Sequence, residues 1–298
     1  MKERGVQTHA SFESLERLSA ETNVKEPEPQ AASFAVRPER ESAVKSLPRV
    51  EEALRQPEPA VTAPAPIVPI LPFESSPVSA IPSQSVKTAS GRSKAEQIAE
   101  IRGPILACTK CPALVRFRTQ VVFGVGNPEA ELMFVGEAPG EDEDRKGEPF
   151  VGKAGQLLTK IIETMGFKRS DVYIANVLKC RPDMPPNTPG NRKPTSPEMR
   201  TCLPYLEKQI EIIQPRALVA LGATAMEGLL GEVAPMNRLR GRWHEFRDIP
   251  LMATYHPAYL LRNQSLGEKR KVWEDMLLVL EKLGKPISEK QRGFFLQK

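Results

Sequence analysis

Four short apolar runs, set apart by stretches of helical periodicity, restrict this chain more than any other feature. They are "ELMFVGEA" (Glu131–Ala138), "DVYIANVLKC" (Asp171–Cys180), "RALVALG" (Arg216–Gly222) and "IPLMATYHP" (Ile249–Pro257). Most are apolar throughout rather than at alternate positions, as strands covered on both faces require. Between and after them lie "GKAGQLLTKIIETMGF" (152–167), "SPEMRTCLPYLEKQIEII" (196–213), "ATAMEGLLG" (223–231) and "LGEKRKVWEDMLLVLEKLG" (266–284), all read as helices. The second opens on a Ser cap with Pro at the first helical position, a helix-start signal. Another helix is expected over Ser93–Ala107, with Ile98, Ile101 and Ile105 on one face and Pro104 shifting its last turn. This alternation predicts an α/β fold: a three-layer αβα sandwich around a central, mostly parallel four-stranded sheet. Ligands bind such sheets beyond the carboxyl ends of the strands, here "GEAPGEDED", "NVLKCRP", "LGATA" and "YHPAYLLR".

The N-terminal third does not share this pattern. Residues 1–90 hold 12 of the 29 prolines, one glycine and no Trp, Tyr or Cys. Such a composition buries too little apolar surface to offset chain entropy, so residues 1–92 are expected to form a disordered tail. Within it, Ser11–Ala20 is a candidate for a short helix formed on binding. A folded domain is expected over 93–285 and a C-terminal tail over 286–298. Charge divides in the same way: 10 Lys/Arg against 12 Asp/Glu in residues 1–90 (net −2), and 32 against 25 in 91–298 (net +7). A basic folded part suits a polyanionic partner. No apolar run is long enough to span a bilayer, and "MKERGVQTHASFE" lacks the apolar core of a secretion signal. The expectation is a cytoplasmic protein with no membrane partner and with reduced thiols.

The strand ends carry the chemistry-bearing residues. "GEAPGEDED" places Glu137 ahead of four consecutive carboxylates, Glu141 to Asp144, in a chain that is basic overall. A metal site, a solvated turn and a catalytic loop facing a developing positive charge are the competing readings. Phe150, held after Pro149, is either a platform for a planar ligand or a packed core ring. Asn176 carries both a donor and an acceptor, which suits an imide edge, although a turn-capping Asn is equally consistent. His256, before Pro257, is the one of three histidines at a strand end. The four cysteines are Cys108 and Cys111 in a Cys-x-x-Cys pair, Cys180 and Cys202. They suit zinc or an iron–sulfur cluster, with a redox pair plus two core cysteines as the alternative. The wide gap between Cys180 and Cys202 leans toward a cluster.

Taken together, "GEAPGEDED", "PFVGKAGQLL", "NVLKCRP", "HPAYLLR" and the four cysteines resemble the family 4 uracil-DNA glycosylases, in order, over about residues 95–285. The resemblance implies a [4Fe-4S] cluster on Cys108, Cys111, Cys180 and Cys202. It also implies a monofunctional enzyme that flips uracil out of DNA, hydrolyses its N-glycosidic bond and leaves an abasic site. Phe150 would stack on the base and Asn176 would read its imide edge, in a pocket shared with Gly136 and Ala138. His256 would donate to the uracil oxygen. Glu137 would lie by the sugar and the attacking water, and Glu143 would shape the loop or face the sugar cation. Tyr259, Leu260, Leu261 and Arg262 would enter the duplex, with Arg116, Arg118 and Lys153 as further backbone contacts.

Some features depart from the resemblance. Ala138 stands where the family 1 enzymes have an Asp, so no Asp general base is expected. The segment between Cys180 and Cys202 is longer than in compact members and is expected to form a surface loop near the cluster. It holds no His, unlike a related branch that links covalently to uracil-DNA, which implies ordinary turnover. "QRGFF" (Gln291–Phe295) resembles short peptides that bind the bacterial sliding clamp. The chain is expected to act as a monomer. The alternatives are an iron–sulfur DNA-binding module and a glycosylase for another deaminated base such as hypoxanthine.

Overall fold

The computed structural model describes residues 91–182 and 190–296. The expected disordered tail and the Ser11–Ala20 helix lie outside the described residues, apart from the tail's last two positions. In chain order the elements are α1 (Lys94–Leu106), α2 (Pro112–Phe117), β1 (Val125–Gly126), β2 (Leu132–Gly136), α3 (Glu141–Lys146), α4 (Lys153–Thr164), a 3-10 turn (Arg169–Asp171) and β3 (Tyr173–Asn176). Then follow α5 (Ser196–Ile213), β4 (Ala217–Leu221), α6 (Ala223–Leu230), α7 (Met236–Leu239), β5 (Trp243–Phe246), β6 (Ile249–Thr254), α8 (Pro257–Arg262), α9 (Leu266–Leu283) and α10 (Glu289–Arg292).

The four expected strands form the parallel centre of one sheet of order β1-β3-β2-β4-β6-β5. Two short strands extend it: β1 pairs antiparallel with β3, and β5 pairs antiparallel with β6. The mixed sheet thus has six strands, with parallel pairing where helices cover both faces and antiparallel pairing only at the edges. Side-chain alternation sorts each central strand into two cores. Met133, Val135, Leu218, Ala220, Leu251 and Ala253 face one side, where α1, α5 and α6 pack. Leu132, Phe134, Ala217, Val219 and Met252 face the other, under α4 and α9.

Local chemistry sets the helix ends. Ser93 caps α1 in a capping box with Glu96, and Pro104 is carried inside the helix without ending it. Helix α5 starts one residue earlier than its Ser suggests. Thr195 is the cap, with Glu198 completing the box and Pro197 in the first turn. The chain runs from β2 to β3 on one side and returns to β4 on the other. The carboxyl ends of β2 and β4 therefore flank a crevice, the usual ligand position in such sheets.

Candidate active site

The acidic stretch is mostly a helix, α3. Its four carboxylates lie in the first turn and Arg145 and Lys146 in the last, an arrangement that complements the helix dipole. Each side chain has its own task. Asp144 is buried and accepts from Thr119 N at 2.8 Å. Asp142 pairs with Arg145 at 2.7 Å, and Glu141 lies 3.5 Å from Arg181. Glu143 Oε1 accepts from Val151 N and Gly152 N, both at 2.9 Å, and its Oε2 accepts from Gly140 N at 3.1 Å. Three backbone donors thus engage both oxygens of that carboxylate. Of the two roles expected of Glu143, shaping the loop is the one these bonds serve.

The same bonds hold Phe150 in place. Its φ is 55°, a left-handed conformation uncommon for a bulky residue. Glu143 grips the chain just after it, and Arg169 Nη2 donates to Pro149 O at 2.7 Å just before it. Arg169 is itself steadied by Thr159 Oγ1 at 3.2 Å. From below, Gly155 lets α4 come so close that a Cβ there would lie 1.8 Å from Phe150 O. The ring faces Gly136, where a Cβ would stand 2.5 Å from Phe150 Cζ and 2.3 Å from Asn176 Oδ1. Glycine at 136 therefore keeps open the space between the two side chains.

Asn176, at the end of β3, is 2% exposed. Its Oδ1 is the one buried side-chain N or O atom among the described residues with no hydrogen-bond partner. An unpaired buried acceptor costs about 1–3 kcal/mol, so its persistence marks a place for a hydrogen-bond donor from a ligand or a water. His256 stands across the pocket, its ring centroid 5.5 Å from that of Phe150. Its Nδ1 accepts from Ala258 N at 3.1 Å as it caps α8. That bond puts the ring proton on Nε2, which becomes a donor. Burial lowers the His256 pKa to about 4, helped by nearby Arg262 and opposed by Glu143, so the ring is neutral at pH 7.

Glu137 lies in the crevice between β2 and β4. Burial raises its carboxyl pKa, opposed by a hydrogen bond from Thr224 and by the charge of Lys193. Lys193 in turn pairs with Glu227, which also accepts from Ser196 Oγ at 3.0 Å. The end of the long inter-cysteine segment thus reaches the loop that carries Glu137. There Asn191 Nδ2 would lie 3.2 Å from a Cβ at Gly140. The sequence placed this segment beside the cysteines only. Thr224, Lys193 and Arg169 carried no motif signal, since their contacts come from distant elements. Ala138 is half-buried against the α5 side of the core, next to Glu137.

At the rim the structure separates residues that the sequence grouped. In the short helix α8, Pro257 and Leu260 share a buried face, so Leu260 is a core residue here and is not poised to enter DNA. Tyr259 stacks on Tyr255 at 4.6 Å, and its hydroxyl donates to Glu268 at 3.2 Å. Leu261 is half-buried and Arg262 exposed. Lys153 and Arg116 are also exposed. Arg118 is not available to phosphate as expected. Its Nη1 donates to Cys180 Sγ at 2.9 Å and its Nη2 to Cys108 O at 2.6 Å.

The four cysteines are all free thiols. Among the described residues no three His, Cys, Asp or Glu side chains close around one metal ion. Contacts nevertheless link them: Arg118 joins Cys180 Sγ to Cys108 O, and Tyr205, three residues after Cys202, reaches Cys108 Sγ. Donors surround them, with Lys179 N 3.2 Å from Cys202 Sγ and Tyr205 OH 3.3 Å from Cys108 Sγ. Burial pushes the Cys202 thiol up to about 11 and raises those of Cys180 and Cys111. Buried sulfurs of this kind become thiolates when a cation joins them, and their N–H and O–H neighbours suit thiolate charge.

The C-terminal segment is seated against the body. Gln291 Nε2 donates to Thr164 O at 2.9 Å, Trp273 Nε1 donates to Gln291 O at 2.6 Å, and Phe294 lies 5.5 Å from the Trp273 ring. The side chains a clamp would read are engaged within the chain in this conformation.

The family model "Uracil DNA glycosylase superfamily" matches residues 123–277, and the chain belongs to that superfamily. The type-4 uracil-DNA glycosylase of Thermotoga maritima is 46% identical over 173 residues, 57% of this chain and 85% of that protein. Its counterpart from Archaeoglobus fulgidus is 43% identical over 182 residues, 58% and 88% of the two chains. A type-5 uracil-DNA glycosylase of Thermus thermophilus is 31% identical over 220 residues, 60% and 94%. Within the superfamily, the chain is a type-4 member.

Proposed function

We propose that this chain excises uracil from DNA by hydrolysing the N-glycosidic bond and leaves an abasic site. The observation that carries the reading is the unpaired Asn176 Oδ1, aimed at a space bounded by Gly136 and Phe150. Uracil presents an N–H flanked by two carbonyls. Asn176 Oδ1 accepts from that N–H while its amide donates to a carbonyl. Cytosine offers a lone pair where uracil has the N–H, so the same amide leaves two acceptors facing one another. The base reaches the pocket by leaving the stack, and the Phe150 ring takes over its stacking.

Bond cleavage leaves negative charge on uracil and positive charge on the sugar. The neutral His256 donates from Nε2 to the uracil oxygen as that charge grows, without first giving up a proton. Glu137, with its raised pKa and Thr224 partner, takes the water side of the reaction and faces the sugar. Lys193 is paired with Glu227, which suits hydrolysis rather than attack by a lysine amine. Leu261 and Arg262, at the exposed end of α8, fill the gap left by the base and hold the backbone.

Cys108, Cys111, Cys180 and Cys202 hold a [4Fe-4S] cluster in this reading. Four thiols with backbone, guanidinium and phenol donors at their sulfurs support it. When bound, the cluster supplies a rigid tie between the region of α2, the end of β3 and α5. The glycosidic chemistry is left to Glu137, Asn176 and His256.

The test is a labelled uracil-containing oligonucleotide incubated with purified protein and divided before hot alkali. Breakage only after alkali is expected. Breakage without alkali would demand a lyase or nuclease, and none in either would favour a DNA-binding module or another deaminated base.

A further inference from the structure

Asp275 is buried on α9, and the pocket chemistry makes no use of it. Arg240, which follows α7, grips it with a fork: Nη2 donates to Oδ1 at 2.9 Å and Nε to Oδ2 at 3.1 Å. Oδ2 also accepts from Thr254 Oγ1 at 2.7 Å. Arg240 Nη2 donates to Lys271 O as well, and the guanidinium lies 5.9 Å from the centroid of the Tyr255 ring. Thr254 is the last residue of β6, is buried, and stands two positions before His256. Its carbonyl accepts from Gly222 N at 2.8 Å. Gly222 comes so near the histidine that a Cβ there would lie 3.2 Å from His256 Cβ. The edge strand does not reach this end of β6. Strand β5 pairs with it only as far as Met252, while Ala253 and Thr254 are registered against β4 alone.

We infer that Arg240 and Asp275 are positioning residues for His256: with Thr254 as the link, they clasp the end of β6 that β5 leaves unpaired and fix where the imidazole stands. The inference rests on the uracil-excision reading above, in which His256 Nε2 donates to the base. A buried ion pair gains little stability over apolar side chains of the same volume, so its use is sought in the geometry it sets. Both residues ahead of His256 are held by Arg240. Thr254 is held through Asp275, and Tyr255 by its ring, which also stacks on Tyr259 of α8. His256 keeps its own bond, Nδ1 to Ala258 N, while the turn after Thr254 keeps its shape. A donor to a developing oxyanion works only at hydrogen-bond distance, and a displacement of about 1 Å costs about 100-fold in rate.

The test uses the full chain as the native protein and as Thr254→Val, Thr254→Ser and Arg240→Lys. Thr254→Val keeps the side-chain shape and the Arg240–Asp275 pair but removes the link between them and the strand. Single-turnover uracil excision, DNA binding and melting are measured for each. The ring nitrogens of 15N-labelled histidine are recorded too, and His256, one of three histidines, is assigned with His256→Asn. Thr254→Val should lower the excision rate by about 10–100-fold with DNA binding near native, and its His256 ring should lose the single Nε2–H tautomer of the native chain. Thr254→Ser should restore most of the rate and the native ring signals. Arg240→Lys keeps the charge but not the fork, and should lower the rate in the same way. A native rate in Thr254→Val overturns the inference, as does a lost rate with unmoved ring signals, and either result leaves uracil excision standing. No uracil release by the native chain overturns the proposed function instead, and the ring signals alone then decide whether Thr254 holds His256. If Thr254→Val does not fold, Arg240→Lys decides by the same two readouts.

Discussion

The pocket at Asn176 and the site at Cys180 lie four residues apart on one strand end, yet they are built on opposite principles. The pocket leaves an acceptor unpaired, holds a phenylalanine at a φ of 55° and keeps its histidine neutral. Around the cysteines, Arg118, Lys179 N and Tyr205 OH all donate to sulfur or to nearby backbone. A site for a passing base must desolvate its reading groups and leave them unsatisfied until the base arrives. A site for a resident group can satisfy everything at once and thereby stiffen the strand end beside it.

The comparison breaks most visibly at His256. His256→Ala should lower kcat by about 10²–10³-fold, the usual loss for one donor to a developing oxyanion, while DNA binding is retained. Equal loss of both, by single-turnover excision and gel shift, would remove it from the chemistry. Glu143→Ala should come next. It strips an acceptor from three backbone donors at a stability loss of about 1–3 kcal/mol and releases Phe150. Glu143→Gln should recover much of the activity because it keeps an acceptor. Failure of that rescue would mean the charge of Glu143, rather than its bonds, is required.

A pH series sharpens the same contrast. The His256 pKa is lowered to about 4 in the folded chain, against about 6.5 when unfolded. The unfolded chain therefore binds the proton first, and the stability that neutral His256 contributes is full above about 6.5 and lost as pH falls toward 4. Denaturant melts of native protein and His256→Asn between pH 7 and 4 should show a shallower decline in the variant. The smallest effect belongs to the rim. Arg262→Ala should weaken binding to all sequences alike and reduce the salt slope by about one phosphate contact.

The central strands were legible because burial on both faces writes long apolar runs, as in Leu132–Gly136 and Ala217–Leu221. The edges were not. Val125–Gly126 is two residues long, and "WHEF" at Trp243–Phe246 carries a polar pair. Asn176 and His256 could be picked out because each stands in a motif at a strand end, and Phe150 because it follows Pro149 just before a helix. Arg169, Thr224 and Lys193 could not, because what they touch is far away in sequence. The α8 residues were misgrouped for a simpler reason: a run of apolar letters does not tell which side of a short helix is buried, and Leu260 and Leu261 face differently.

The most direct test of the account is Asn176→Leu, nearly isosteric but without the unpaired acceptor. Melting and uracil excision would be measured on the same preparation. The account expects excision to fall by about 100-fold or more, as when a reading group is deleted, with a melting midpoint equal to or above native because a buried orphan acceptor is gone. Near-native excision by that variant would contradict the claim that this pocket reads the base.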